Sequence, residues 1–176
     1  MNITSTLEYL EINQHDDFRS GKIYTTYCTT FPADERRCEK QFRALFGNPC
    51  VKIFSVLDAL QEIGYLICWE LTECVFVEHF EIFSEFRSKK YGSQIIADLF
   101  RDYSRIVLEA EPAELSTDAQ RRIDFYERNG FSVIDKHYVQ PPYEAEKNAL
   151  DLWLLANWQP EDTEALKEEI YDVVYS

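Results

Sequence analysis

Between Val75 and Ile96 the chain reads VFVEHFEIFSEFRSKKYGSQII. An apolar strand pattern runs into a short loop carrying Arg87, Lys89, Lys90 and Gly92, and the spacing predicts a helix from Ser93. Backbone N–H groups in a first helical turn have no partner inside the helix, and the helix dipole adds roughly half a positive charge there. A strand, a cationic loop and a helix start in this order therefore make a place to hold phosphate. The chain has 18 Lys plus Arg against 32 Asp plus Glu, yet three cations fall within four residues here. An ordinary charged turn is the plainer account of the same residues. Neither G-x-G-x-x-G nor G-x-x-x-x-G-K-[ST] occurs, so the common nucleotide loops do not apply.

Arg87-Ser88-Lys89-Lys90-Tyr91-Gly92 resembles the acetyl-CoA loop of the Gcn5-related N-acetyltransferases, Q/R-x-x-G-x-G/A, with Lys90 where that family has glycine. Lysine there replaces a residue free to take positive φ. Arg122-Ile123-Asp124-Phe125-Tyr126-Glu127-Arg128-Asn129-Gly130-Phe131 is similar to the family's helix-to-strand signature. In it Ile123 and Tyr126 share a helix face, and Gly130 suits the left-handed residue that ends a helix. Val77 to Ile82 also resembles the family's fourth strand, and the likeness runs over roughly residues 15–155.

The resemblance implies an α/β (α+β) fold, a mixed central sheet of about seven strands flanked by helices. It implies an N-acetyltransferase that moves the acetyl group of acetyl-CoA to a primary amine by direct attack in a ternary complex. Arg87, Ser88, Lys89, Lys90, Tyr91, Gly92 and Ser93 would surround the cofactor's pyrophosphate, and the backbones of Phe80 and Ile82 would pair with its pantetheine arm like a neighbouring strand. An attacking ammonium must lose a proton, and the leaving thiolate gains from receiving one. Glu78 is the candidate base, directly or through a water. It alternates with Phe80 and Ile82 and so shares their face, which leaves His79 and Glu81 on the other. Tyr126 is the candidate acid. A strand-edge carboxylate paired with a cation is the structural alternative for Glu78; a tyrosine that only hydrogen-bonds the sulfur is that for Tyr126.

Apolar, β-branched and aromatic runs bounded by turn residues predict strands over Thr4–Leu10, Val51–Leu57, Ile63–Trp69, Val75–Ile82, Ile106–Glu111, Phe131–His137 and Ala149–Leu155. Helical patterns cover Phe18–Thr29, Asp34–Phe46, Ser93–Tyr103 and Thr117–Asn129. Residues 1–160 read as one domain, and 161–176 as an acidic amphipathic helix or tail in which Leu166, Ile170 and Val174 recur. Tyr138 to Tyr143 encloses two prolines and reads as a loop, where Tyr138 and Tyr143 are candidates for shaping an acceptor pocket. Arg36-Arg37 and Arg121-Arg122 read as solvated helix faces.

A net charge of −14 argues against nucleic acid and anionic membranes and suits a cationic amine acceptor. The amine is a small molecule or a peptide or protein group, and a homodimer is compatible with this reading. No stretch has the length of a membrane span, and Met1 to Leu10 lacks a signal peptide's pattern. Five cysteines without a C-x-x-C suggest a reducing cytoplasm, and no metal is expected. Two other readings use the same residues: a catalytically weak acyl-CoA-binding or sensor domain, and an interaction domain built on the acidic final helix.

Overall fold

Stretches rich in β-branched and aromatic residues form the antiparallel meander β2 (Val51–Asp58), β3 (Gln61–Glu70) and β4 (Val75–Ile82). This computed structural model describes residues 7–176. β1 (Glu8–Glu11) lies antiparallel on β2; the Thr4–Thr6 part of the predicted first strand lies outside the described residues. Helix α3 (Tyr91–Asp102) crosses over from β4 to β5 (Ile106–Ala110), which pairs parallel to β4. β6 (Ser132–Gln140) and β7 (Leu150–Ala156) form a hairpin in which β7 lies against β5. The result is one seven-stranded mixed sheet in the order β1-β2-β3-β4-β5-β7-β6, flanked by α1 (Phe18–Thr30), α2 (Glu39–Leu45), α3, α4 (Thr117–Arg128) and α5 (Thr163–Val174).

Four details depart from the pattern reading, each for a physical reason. The predicted helix over 34–46 breaks into a 3-10 turn at Ala33–Glu35 and then α2. Between them Arg36 is extended, and Arg37 is buried with its N–H donating to the Tyr27 hydroxyl at 2.6 Å. Arg37 is thus no solvated helix residue. α3 starts at Tyr91, two residues before Ser93, so Gly92 belongs to its first turn. β6 continues through Tyr138 to Gln140, and Pro141 and Pro142 come only after its end, on an edge strand where missing N–H groups break no ladder. Finally, α5 is no detached tail: Leu166, Ile170 and Val174 are buried in the main core.

Two irregularities open the sheet at its centre. β4 and β5 share only three pairs, Val75↔Ile106, Phe76↔Val107 and Val77↔Leu108, and then part. One residue later β4 carries a bulge. Ile67 faces His79 and Cys68 faces Val77, so Glu78 is an extra residue without an opposite number. A bulge resets side-chain direction. Glu78 Oε1 lies 3.9 Å from His79 Nε2, while the Phe80 ring turns toward Gly92 of α3. Glu78 therefore sits beside His79 and not on the Phe80 face that simple alternation predicts.

Candidate active site

Where β4 and β5 separate lies a cleft of 860 Å³. Its walls are the freed half of β4 from Glu78 to Ile82, the end of β5 at Glu109–Glu111, the start of α3, and the α4 face carrying Arg122, Phe125 and Tyr126. Among the candidate site residues, Glu78, Phe80, Ile82, Arg87, Ser88, Lys90, Tyr91, Gly92, Ser93 and Tyr126 line it; Lys89, Tyr138 and Tyr143 do not.

The helix start is built as an anion cradle. The first bond of the helix runs from Gln94 N to Lys90 O at 3.2 Å, so the N–H groups of Tyr91, Gly92 and Ser93 are left for a ligand. Lys90 is the N-cap and its side chain does not cap the helix. It stands at the left-handed position (φ 67°), and Ser88 also has φ 64°. The lysine thus adopts the backbone usually given to glycine, at a cost of roughly 1–2 kcal/mol. Gly92 answers a different need: a Cβ there would lie 3.0 Å from a Phe125 ring carbon, so glycine lets α3 approach α4. Tyr91 fixes the turn by donating to Asp58 Oδ2 at 2.6 Å.

Arg87 does not aim at this cradle. Its Nε donates to Ile82 O at 3.0 Å, and Nη2 lies 3.4 Å from Glu81 Oε1. The guanidinium closes the strand end and occupies the Ile82 carbonyl that was expected to serve the pantetheine arm. Lys89 leans over the Phe86 ring at 5.1 Å. Lys90 is the lysine of the loop that lines the cleft.

Glu78 is held by donors on both oxygens. Oε1 accepts from Arg37 Nε at 3.1 Å and from the Tyr143 hydroxyl at 2.7 Å, and Oε2 accepts from Trp69 Nε1 at 2.7 Å. Burial alone would raise its carboxyl, but the Arg37 charge and these hydrogen bonds outweigh it and hold the group below the usual range. Such a carboxylate is ionised and a weak base. Burial lowers the neighbouring His79 imidazole to about 4, so it is neutral near pH 7.

Glu109 has the opposite character. It lies on β5 facing the parted end of β4, and the hydroxyls of Tyr138 and Tyr175 donate to it, the latter at 2.8 Å from Oε2. Burial pushes its carboxyl up to about 8 against the pull of those donors. Tyr138 and Tyr143 therefore stand behind the two carboxylates and do not face a ligand. Tyr126 is buried, with its ring 5.4 Å from Phe125 and 5.7 Å from Phe131. Burial pushes its phenol up to about 12, and among the described residues its hydroxyl has no hydrogen-bond partner.

The carboxylate side of the cleft is roofed by tied segments. Gln41 Nε2 donates to Tyr143 O at 2.5 Å, Lys147 Nζ to Arg36 O at 2.5 Å, and Asn148 Nδ2 to Asp34 Oδ2 at 3.0 Å. Arg37, Glu109 and Tyr175 were not picked out by sequence reasoning. The lone carboxylate in the otherwise apolar run Ile106-Val107-Leu108-Glu109-Ala110 was the available signal for one of them.

No family model matches this chain, and no curated protein does. Solved structures do match. A Bacteroides thetaiotaomicron protein assigned to the GNAT family of acetyltransferases superposes with a TM-score of 0.87 at 27% identity, over 96% of this chain and 98% of that one. Arabidopsis thaliana NAA60 in complex with acetyl-CoA matches with a TM-score of 0.63 at 12% identity, over 86% and 97%. The spermidine/spermine N-acetyltransferase SpeG from Vibrio cholerae matches with a TM-score of 0.58 at 14% identity, over 86% and 93%. The last two establish the shared fold, and the first extends the likeness to nearly every residue of both chains. The chain has the fold of the Gcn5-related N-acetyltransferase (GNAT) family, and its likeness to a protein of that family runs over nearly its whole length.

Proposed function

We propose that the protein transfers the acetyl group of acetyl-CoA to a primary amine by direct attack in a ternary complex. The observation that carries this reading is the course of one cleft: it runs from the free N–H groups at the start of α3, past the unpaired edge of β4, to the unpartnered Tyr126 hydroxyl. The parts of acetyl-CoA fit that sequence of surfaces. Tyr91, Gly92 and Ser93 offer N–H groups to the pyrophosphate, with Lys90 adding charge. Beyond Val77 no strand among the described residues pairs with the β5 side of β4, so the Phe80 backbone can pair with the pantetheine amides. Acetyl-CoA supplies the thioester, and the bound complex of the Arabidopsis relative supports its use here.

In this reading Tyr126 gives its proton to the departing sulfur as the acceptor nitrogen bonds to the acetyl carbon. A phenol pushed up to about 12 by burial remains protonated until that moment. The acceptor is a cationic amine: Glu35 and Glu109 line the cleft outside any ion pair among the described residues, Glu111 pairs with Arg122, and the whole protein carries a charge of −14.

The test has two parts. Acetyl-CoA should raise the melting temperature, by an amount that grows with ligand excess. Thiol release should follow when spermidine, lysine or an alanyl peptide is added. An unchanged melting curve at millimolar acetyl-CoA rules out the cradle. A raised melting temperature without thiol release on any amine favours the binding-domain reading.

A further inference from the structure

We propose that Glu109, and not Glu78, takes the proton from the acceptor's ammonium; this rests on the acetyl-transfer reading above. The two residues occupy equivalent places. The last rung joining β4 to β5 is Val77↔Leu108, and each carboxylate follows it by one residue, at the point where the strands part. Both residues line the cleft, although the Glu78 side chain is only 1% exposed.

Their partners separate them. Glu78 is tied to the Arg37 guanidinium, an indole N–H and a phenol, and the buried cation beside it repels a second cation. Glu109 has no cationic partner among the described residues. Tyr138 from β6 and Tyr175 from the end of α5 bond it directly. Tyr171 of α5, Tyr143 from the β6–β7 segment and the charge of Glu78 from β4 are the other groups that face it. All are neutral or negative. An incoming ammonium is therefore the natural counter-charge for Glu109, and the two phenols fix the carboxylate's direction without neutralising it. Oε2 accepts a single bond, from Tyr175, and keeps a lone pair for the ligand. His79, lowered to about 4, is too weak a base to compete.

The proton flow balances. An ammonium N–H breaks and an O–H forms on Glu109. The freed lone pair makes the C–N bond to the acetyl carbon as the C–S bond breaks, and the sulfur takes the Tyr126 proton. A second proton from the acylated nitrogen restores Tyr126. Glu109 releases its proton to water through the cleft. The products are the acetamide, CoA thiol and one proton.

The experiment is a pH profile of kcat/KM on the full chain, using whichever of spermidine, lysine or an alanyl peptide is acetylated. The wild type should show a rising limb near pH 8, where Glu109 ionises. Glu109→Gln should lose about 10²-fold or more in turnover and lose the limb, while acetyl-CoA still raises the melting temperature. Tyr175→Phe removes a donor to the carboxylate, so its limb should move to higher pH with turnover recovered there; a merely structural tyrosine would not move it. This second variant decides the matter if Glu109→Gln does not fold. A difference infrared band of a protonated carboxyl at pH 7, absent from Glu109→Gln, should titrate with the same midpoint. The idea is overturned by a Glu109→Gln enzyme that keeps the wild-type limb, by a limb that vanishes in Glu78→Gln instead, or by a Tyr175→Phe limb that stays in place. A wild type that acetylates no amine while binding acetyl-CoA would instead refute the acetyl-transfer reading, and this one with it.

Discussion

Arg37 closes on Glu78 from outside the sheet, with Nε and Nη2 each 3.1 Å from the same carboxylate oxygen. The guanidinium also donates to Val174 O at 2.6 Å and lies over the Tyr143 ring at 4.7 Å. Both side chains are nearly sealed from water, 10% and 1% exposed. Removing one partner strands the other, so Glu78→Gln and Arg37→Ala should each cost about 3–5 kcal/mol. Because Glu78 ionises more readily folded than unfolded, its contribution is present above the ordinary carboxylate range and fades as pH falls through the folded value. Melting curves should show the gap between wild type and Glu78→Gln shrinking below about pH 4. A constant gap down to pH 3 would mean the ion pair does not set stability.

Glu109 works in the other direction. Its carboxyl is raised from 4.5 to about 8, so between those values the folded state binds the extra proton. Stability should therefore fall as pH rises through that window. In Glu109→Gln this alkaline loss should largely disappear, and the variant should equal or exceed the wild type in melting temperature at pH 8. Scanning calorimetry from pH 5 to 8 on both proteins checks it.

The cradle loop sets stability against affinity. Lys90→Gly relieves a left-handed lysine and should stabilise the free protein by about 1 kcal/mol. The same change removes a cation from the cleft and should weaken acetyl-CoA binding. Gly92→Val should lower both, because its Cβ drives into Phe125. Arg87→Ala should change affinity least, since that guanidinium is engaged with Ile82 O and Glu81. Calorimetric titration with acetyl-CoA across the three variants gives the ranking.

Tyr126→Phe should lower turnover about tenfold to a hundredfold with acetyl-CoA affinity and melting temperature almost unchanged. Among the described residues its hydroxyl has no hydrogen-bond partner, so no such bond is lost when it goes. A lower melting temperature with normal turnover per folded molecule would assign the hydroxyl to the fold.

The meander, the crossover helix and the Tyr126 helix were legible because each rests on a local pattern: a buried β-branched and aromatic run over Val75–Val77, and Ile123 and Tyr126 on one buried helix face. What stayed hidden depends on distant partners. Nothing within residues 34–46 says that Arg37 must leave the helical path, because its reasons, Glu78 and Val174, lie far along the chain. The bulge at Glu78 is equally silent, since one extra residue leaves the composition of β4 unchanged while reversing which neighbours share a face. Glu109 looks like any strand carboxylate until Tyr138 and Tyr175 are brought to it.

The end of α5 reaches both carboxylate centres from far along the chain. Arg37 and the Val174 carbonyl are 137 residues apart, and Glu109 and the Tyr175 hydroxyl 66 apart. Contacts of such separation form only after long loops have closed, so they belong to the slow end of folding. On the ribosome, Arg37, Glu78 and Glu109 are all made before α5 exists. A chain interrupted ahead of Thr163 would hold a buried guanidinium and a buried carboxyl each missing a partner. Such a fragment should be cleared by proteases and not persist as a partly working enzyme, which makes completion of the final helix the checkpoint for a competent site.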